Sequence, residues 1–161
     1  MAGNTILGIS PGTKYIGVAV LRNGNLHDWK VKSYKGTWSD EKLDKALGYL
    51  EKLVISHVIN HIACKVPHES RTSHGVNAII QKIQEIAREY KIKFELYTIE
   101  DIKNLFKMHF ANRYILSEHV ARRYPEITDI FLRERKNKHR YHVRIFEAIA
   151  AALHHEHKYC Q

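Results

Sequence analysis

Between Arg133 and Arg144 the chain reads RERKNKHRYHVR, with six Lys or Arg, two His and one acid. Cationic side chains at this density contact phosphate backbones. Arg133, Arg135, Lys136, Lys138, Arg140 and Arg144 are therefore candidate nucleic-acid ligands, and Tyr141 could stack on a base. The same composition also describes a solvated basic loop. The segment PHESRTSHG at 67–75 precedes a helical pattern. There Ser73 and the first helix amides could meet a phosphate, aided by Arg71 and two histidines, or Ser73 could simply cap the helix. Lys14 follows a Pro-Gly turn and is a further candidate phosphate contact, with plain solvation as the alternative. The cluster HHEH, His154–His157, carries metal-ligand types but has no fourth ligand in view, so an exposed, frayed helix end is expected. Cys64 lacks the partnered histidine and acid of a nucleophile and reads as strand packing.

These candidates lie in a basic chain. Lys and Arg total 26 against 17 acids, a formal net charge of +9, which attracts polyanions over long range. Hydrophobic residues at 44% and charged residues at 27% describe an ordinary globular composition with enough apolar surface for a core. The 161 residues suit one domain, 1–161. No apolar run of membrane-spanning length is present and MAGNTILGIS lacks the pattern of a secretory signal, so no membrane association is expected. Two cysteines, Cys64 and Cys160, form no CxxC pair, which argues against a disulfide framework or zinc site and suits a reducing cytoplasm.

The elements that must position the candidates follow from patterning. Thr5–Ser10 is a short apolar strand, Pro11-Gly12 a turn, and Tyr15–Leu21 a second strand. Asn23-Gly24 is a strong hairpin signal, leading to a third strand over Leu26–Lys35. Ser39 is a plausible N-cap with Asp40 and Glu41 in the first turn. Leu43, Ala46, Leu47, Leu50, Leu53 and Val54 then recur at helical spacing to about His57. Ile59–Val66 reads as a fourth strand and Val76–Tyr90 as a helix. Lys93–Tyr97 reads as a fifth strand. Thr98 and Asp101 form a capping box for a helix to about Met108, and another helix runs over about Asn112–Tyr124. Asp129–Arg140 is expected to be loop-like, and a last helix spans about Tyr141–His157. The order is βββ-α-β-α-β-α-α-α, an α/β fold with a five-stranded mixed sheet and helices on both faces.

This order, with the opening ILGISPGTKYIGVAVL, resembles the ribonuclease H-like superfamily and, within it, the RuvC-type Holliday-junction resolvases. Ile6, Leu7, Gly8, Ile9, Pro11, Gly12, Thr13, Gly17 and Val20 match the family's opening ILGIDPGSxxxGxxVI. The ending FEAIAAALHH is similar to DAxxDALAIAxxH. The resemblance covers most of the chain in element order and is specific mainly at the first hairpin. It implies cleavage of phosphodiester bonds by two divalent cations, Mg²⁺ or Mn²⁺, held by carboxylates from separate strands and the last helix.

The family's acids fall here on other residue types. The first-strand aspartate falls on Ser10, and the fourth-strand glutamate on Cys64, or on Lys65 if the register slips by one. The two helix acids fall on Arg144 and Glu147. One carboxylate of four remains, and three residues apart on a helix Arg144 and Glu147 could form an ion pair where a metal would sit. A site with this sign is expected to hold no cofactor metal and to attract a phosphate instead. Lys14 is expected near Ser10. Three functions follow: a nucleic-acid-binding module, of branched DNA for instance, without catalysis; a Mg²⁺- or Mn²⁺-dependent endonuclease using Glu147 and a relocated acid such as Glu69; or a homodimeric protein-interaction module.

Overall fold

Six residues in a row, Thr5–Ser10, are buried, and this is the signature of a strand covered on both faces. In the computed structural model this strand, β1, is the centre of a five-stranded sheet of order β3-β2-β1-β4-β5. The structure describes residues 3–66, 73–106, 113–136 and 143–159. β2 (Tyr15–Arg22) and β3 (Asn25–Ser33) complete an antiparallel meander, while β4 (His61–Lys65) runs parallel to β1 and β5 (Lys93–Tyr97) parallel to β4. The β2–β3 turn places Asn23 at φ 52° and Gly24 at φ 83°. Both central residues are left-handed, the condition for the tight turn that Asn-Gly signals. The sheet is mixed, as the patterning predicts.

Two layers of helices cover it. α1 (Asp40–Ser56) and α2 (His74–Glu89) pack on one face over Leu7, Ile9, Ile62 and Cys64. Ser39 Oγ accepts from the Lys42 amide at 3.3 Å and Ser73 Oγ from the Val76 amide at 3.2 Å, so each helix starts at a side-chain cap. The other face carries α3 (Ile99–Phe106), α4 (Arg113–Arg123), α5 (Thr128–Lys136) and α6 (Val143–Tyr159). The Thr98–Asp101 capping box forms at the start of α3. Among the described residues no helix is long and apolar enough to cross a membrane.

For the segment 129–140, where a loop is expected, α5 corrects the reading over 129–136, and 137–140 lie outside the described residues. Ile127, Ile130 and Phe131 lie at i, i+3 and i+4 and pack on the α6-side core, with Phe131 edge-on to Phe146 at 6.2 Å. That apolar stripe makes a helix despite the basic composition.

α6 lies on the centre of the sheet because the sheet is glycine where the helix crosses it. A Cβ on Gly8 would stand 2.0 Å from the Ala148 carbonyl oxygen, and one on Gly17 would stand 2.2 Å from that of Arg144. Ala148, Ala151 and Ala152 supply small side chains on the helix side of this close contact. The approach brings the first turns of α6 over the carboxyl ends of β1 and β4.

Candidate functional site: an ion-paired centre at the carboxyl ends of β1 and β4

In open α/β sheets, ligands bind beyond the carboxyl ends of parallel strands. Here Ser10 ends β1, Lys65 ends β4, and Arg144 and Glu147 come from the start of α6. Ser10 and Glu147 are fully buried and Lys65 is 7% exposed. The Lys65 ammonium donates to Glu147 Oε2. The Ser10 hydroxyl donates to Glu147 Oε1 at 3.4 Å. Arg144 Nη1 donates to Ser10 Oγ at 3.3 Å and to the Pro11 carbonyl at 3.1 Å. The four side chains form one chain of contacts: Arg144, Ser10, Glu147, Lys65.

Strand parity decides which fourth-strand residue belongs here. Ile9 pairs with Cys64 in the β1–β4 ladder, and both face α1 and α2. Alternation turns the next residues, Ser10 and Lys65, to the α6 face. Cys64 is therefore corrected out of the site. It is sealed in the opposite core, where burial pushes its thiol up to about 12. Such a thiol is no nucleophile at neutral pH.

The expected Arg144–Glu147 ion pair is also corrected. Glu147 pairs with Lys65, while Arg144 reaches back to the β1–β2 turn. Residues i and i+3 are neighbours on a helix surface, but Glu147 points into the sheet, where Lys65 is at hand.

Lys14 is not bonded to Ser10. It is exposed beyond the turn, its ammonium 5.6 Å from the Tyr15 ring centre, and lines a groove with Tyr34, Lys35 and Trp38. Arg133 is exposed on α5. The backbones of Arg135 and Lys136 close α5, with their side chains outside the described residues, as Glu69, Arg71, Lys138, Arg140 and Tyr141 are altogether. Ser73 is a helix cap.

The histidine cluster departs from the expected frayed end. His155 is fully buried. Its Nε2 lies 2.9 Å from His61 Nδ1 and its Nδ1 lies 2.7 Å from the Tyr97 hydroxyl. Burial, followed by the His61 ring, drives His155 down to about 4, so at neutral pH it is an uncharged link in a buried chain of hydrogen bonds. Sequence reading missed this trio; the period of α6, which puts position 155 beside the buried Ala151 and Ala152, was the available signal.

Divalent cations do not fit this centre. Mg²⁺ and Mn²⁺ need several hard oxygen ligands, and the centre offers one carboxylate already engaged by an ammonium, with a guanidinium beside it. Among the described residues no group of three or more His, Cys, Asp or Glu is placed to hold a metal. What the centre offers is a half-buried guanidinium. Its Nη1 donates to Ser10 and to the Pro11 carbonyl, and a guanidinium carries a forked donor pair whose geometry suits an oxyanion.

No family model and no curated protein matches the sequence. Solved structures do match the fold. Thermus thermophilus RuvC, in complex with a Holliday junction substrate, is 15% identical with a TM-score of 0.70, over 94% of this chain and 92% of that one. A second structure of Thermus thermophilus RuvC matches to the same extent. Fowlpox virus resolvase, bound to Holliday junction DNA, is 10% identical with a TM-score of 0.61, over 98% and 99% of the two chains. The fold of this chain is therefore the ribonuclease H-like fold of the RuvC-type Holliday-junction resolvases.

Proposed function

We propose that the chain, 1–161, is one RuvC-like domain that binds DNA, branched DNA in particular, without metal-dependent cleavage. The observation that carries this reading is the buried Lys65–Glu147 pair. A positive side chain occupies the centre where the resemblance calls for carboxylates and cations. An ammonium there repels a divalent ion, and removing it to admit one would cost the pair. The neighbouring Arg144 supplies a guanidinium suited to a backbone phosphate. The net charge of +9 supplies the long-range attraction. The similar proteins that carry junction DNA, RuvC and the poxvirus resolvase, point to the same class of ligand.

Electrophoretic mobility shift with duplex, four-way junction and RNA, across a salt series, tests the reading. Salt-sensitive binding that favours the junction is the expected result, with no strand cleavage in Mg²⁺ or Mn²⁺. Absence of binding at low ionic strength overturns it, and a tight oligomer in that same sample would favour a protein-interaction module. Cleavage abolished by Glu147→Gln would establish the chain as an endonuclease.

A further inference from the structure

Three residues beyond Ser10 the surface opens into a groove of about 560 Å³ whose lining includes Lys14, Tyr15, Tyr34, Lys35 and Trp38. Its size is that of a small-ligand site. None of the described residues that line it is acidic. Two exposed lysines stand at the rim, and three half-buried aromatic rings supply the walls. Tyr34 and Trp38 meet edge to face at 5.7 Å and 89°, so the two rings brace one another at a right angle and each keeps a face free of the other.

The groove is built, not merely left between loops. The Tyr34 amide donates to the Lys14 carbonyl at 2.9 Å, joining the β1–β2 turn to the end of β3. The Lys42 ammonium, from α1, donates to the carbonyls of Lys35 and Thr37 and pins the intervening loop. The first turn of α2 closes the back: a Cβ on Gly75 would stand 2.5 Å from Thr13 Cγ2 and 3.0 Å from Trp38 Cδ1. A site shaped before its ligand arrives loses less entropy on binding.

We propose that this groove holds an unpaired nucleotide of a DNA strand, its base stacked on Trp38 and edge-on to Tyr34, and its phosphate between Lys14 and Lys35. The proposal rests on the DNA-binding reading above and adds what part of the DNA is held. An occupant must be planar and aromatic to use the walls and anionic to use the rim, and a nucleotide is both. Continuity favours a strand over a free nucleotide. Pro11, whose carbonyl binds Arg144, is two residues from Thr13 in the groove wall. A strand with one phosphate on Arg144 then runs directly into the groove. A duplex keeps its bases inside and cannot fill it, whereas a single strand or an opened branch point offers unpaired bases.

The chain has two tryptophans. Trp29 packs on the α6-side core, away from the groove, so Trp29→Phe leaves Trp38 as a single reporter. Titration of that variant with a thymidine oligonucleotide is expected to quench Trp38 emission to saturation. Trp38→Ala is expected to weaken single-strand binding about 5- to 150-fold, the equivalent of one stacked base, and to leave duplex binding unchanged. Trp38→Phe should retain most of the affinity, which keeps the test valid if the alanine variant folds poorly. The Lys14→Ala, Lys35→Ala double variant should lower affinity and flatten its salt dependence.

Binding detected by mobility shift with no change in Trp38 emission overturns the groove while leaving the DNA-binding reading in place. Equal quenching by thymidine monophosphate at the same concentration overturns the strand assignment. No binding of any nucleic acid overturns both.

Discussion

The Lys65 ammonium donates to the Glu147 carboxylate across the contact between β4 and α6, with both side chains buried. A buried pair of this kind adds little to stability over a well-packed apolar pair, but losing one partner strands the other charge. Lys65→Met should therefore cost about 3–5 kcal/mol, and Glu147→Leu a similar amount. The double variant should recover most of that loss. Urea denaturation of the single and double variants measures it, and additive losses would show that the two side chains do not depend on one another.

The same pair predicts indifference to metal. The melting temperature should not move when Mg²⁺ or Mn²⁺ is added or when a chelator removes trace ions, because a ligand stabilises only what it binds. Restoring oxygen ligands should reverse this. A variant carrying Ser10→Asp, Lys65→Glu and Arg144→Asp has four carboxylates with Glu147, and its melting temperature should rise with added Mn²⁺. A wild-type transition that climbs with Mn²⁺ concentration would place a cation where the one carboxylate is already paired with an ammonium.

His155 predicts a pH effect with a definite sign. Its folded-state value, about 4, lies below the ordinary 6.5, so the unfolded chain takes up the proton first. Stability from this group is complete above about pH 6.5 and is lost as the pH falls toward 4. The loss is on the order of 3 kcal/mol. Burial lowers His61 and His154 in the same direction. Denaturant midpoints compared between pH 7 and pH 4.5 should fall steeply for the wild type and less steeply for His155→Gln, which has no proton to gain. Equal slopes would mean that His155 is solvated in the folded protein.

Glycine substitutions should split by position. Gly8→Ala drives a methyl into the Ala148 carbonyl oxygen, and that backbone cannot withdraw without lifting α6 from the sheet. The cost should reach or exceed about 3 kcal/mol. Gly48 lies inside α1 with nothing within 4 Å of a new Cβ. Gly48→Ala should stabilise by about 0.5–1 kcal/mol through helix propensity and a less flexible unfolded chain. Thermal melts of the two variants are the measurement.

Arg144→Ala should weaken DNA binding and lower the slope of log affinity against log salt by about 1, one phosphate contact. Filter binding across a salt series reports both. An unchanged slope would show that the guanidinium serves only Ser10 and Pro11.

The amino-acid sequence alone makes the strands, the capped helices and the fold legible. Hydrophobic period, Asn23-Gly24 and the Ser39 and Thr98 caps are local signals, read from residues close in the chain. It also carried the change of sign at the site, since the acid types are absent from Ser10 and Arg144 whatever the packing. It misjudged 129–136 because basic composition hid the stripe of Ile127, Ile130 and Phe131, whose meaning depends on a core to face. Strand pairing in three dimensions settles which of Cys64 and Lys65 faces the centre, since one residue of ladder register separates the two faces of a sheet. Tertiary packing likewise settles that Glu147 pairs with Lys65 and not Arg144, that His155 is buried between His61 and Tyr97, and that Lys14 joins Tyr34 and Trp38 in a groove. Those relationships join residues from 20 to nearly 100 positions apart, and the ones that reach Glu147 and His155 close only when α6 settles on Gly8 and Gly17.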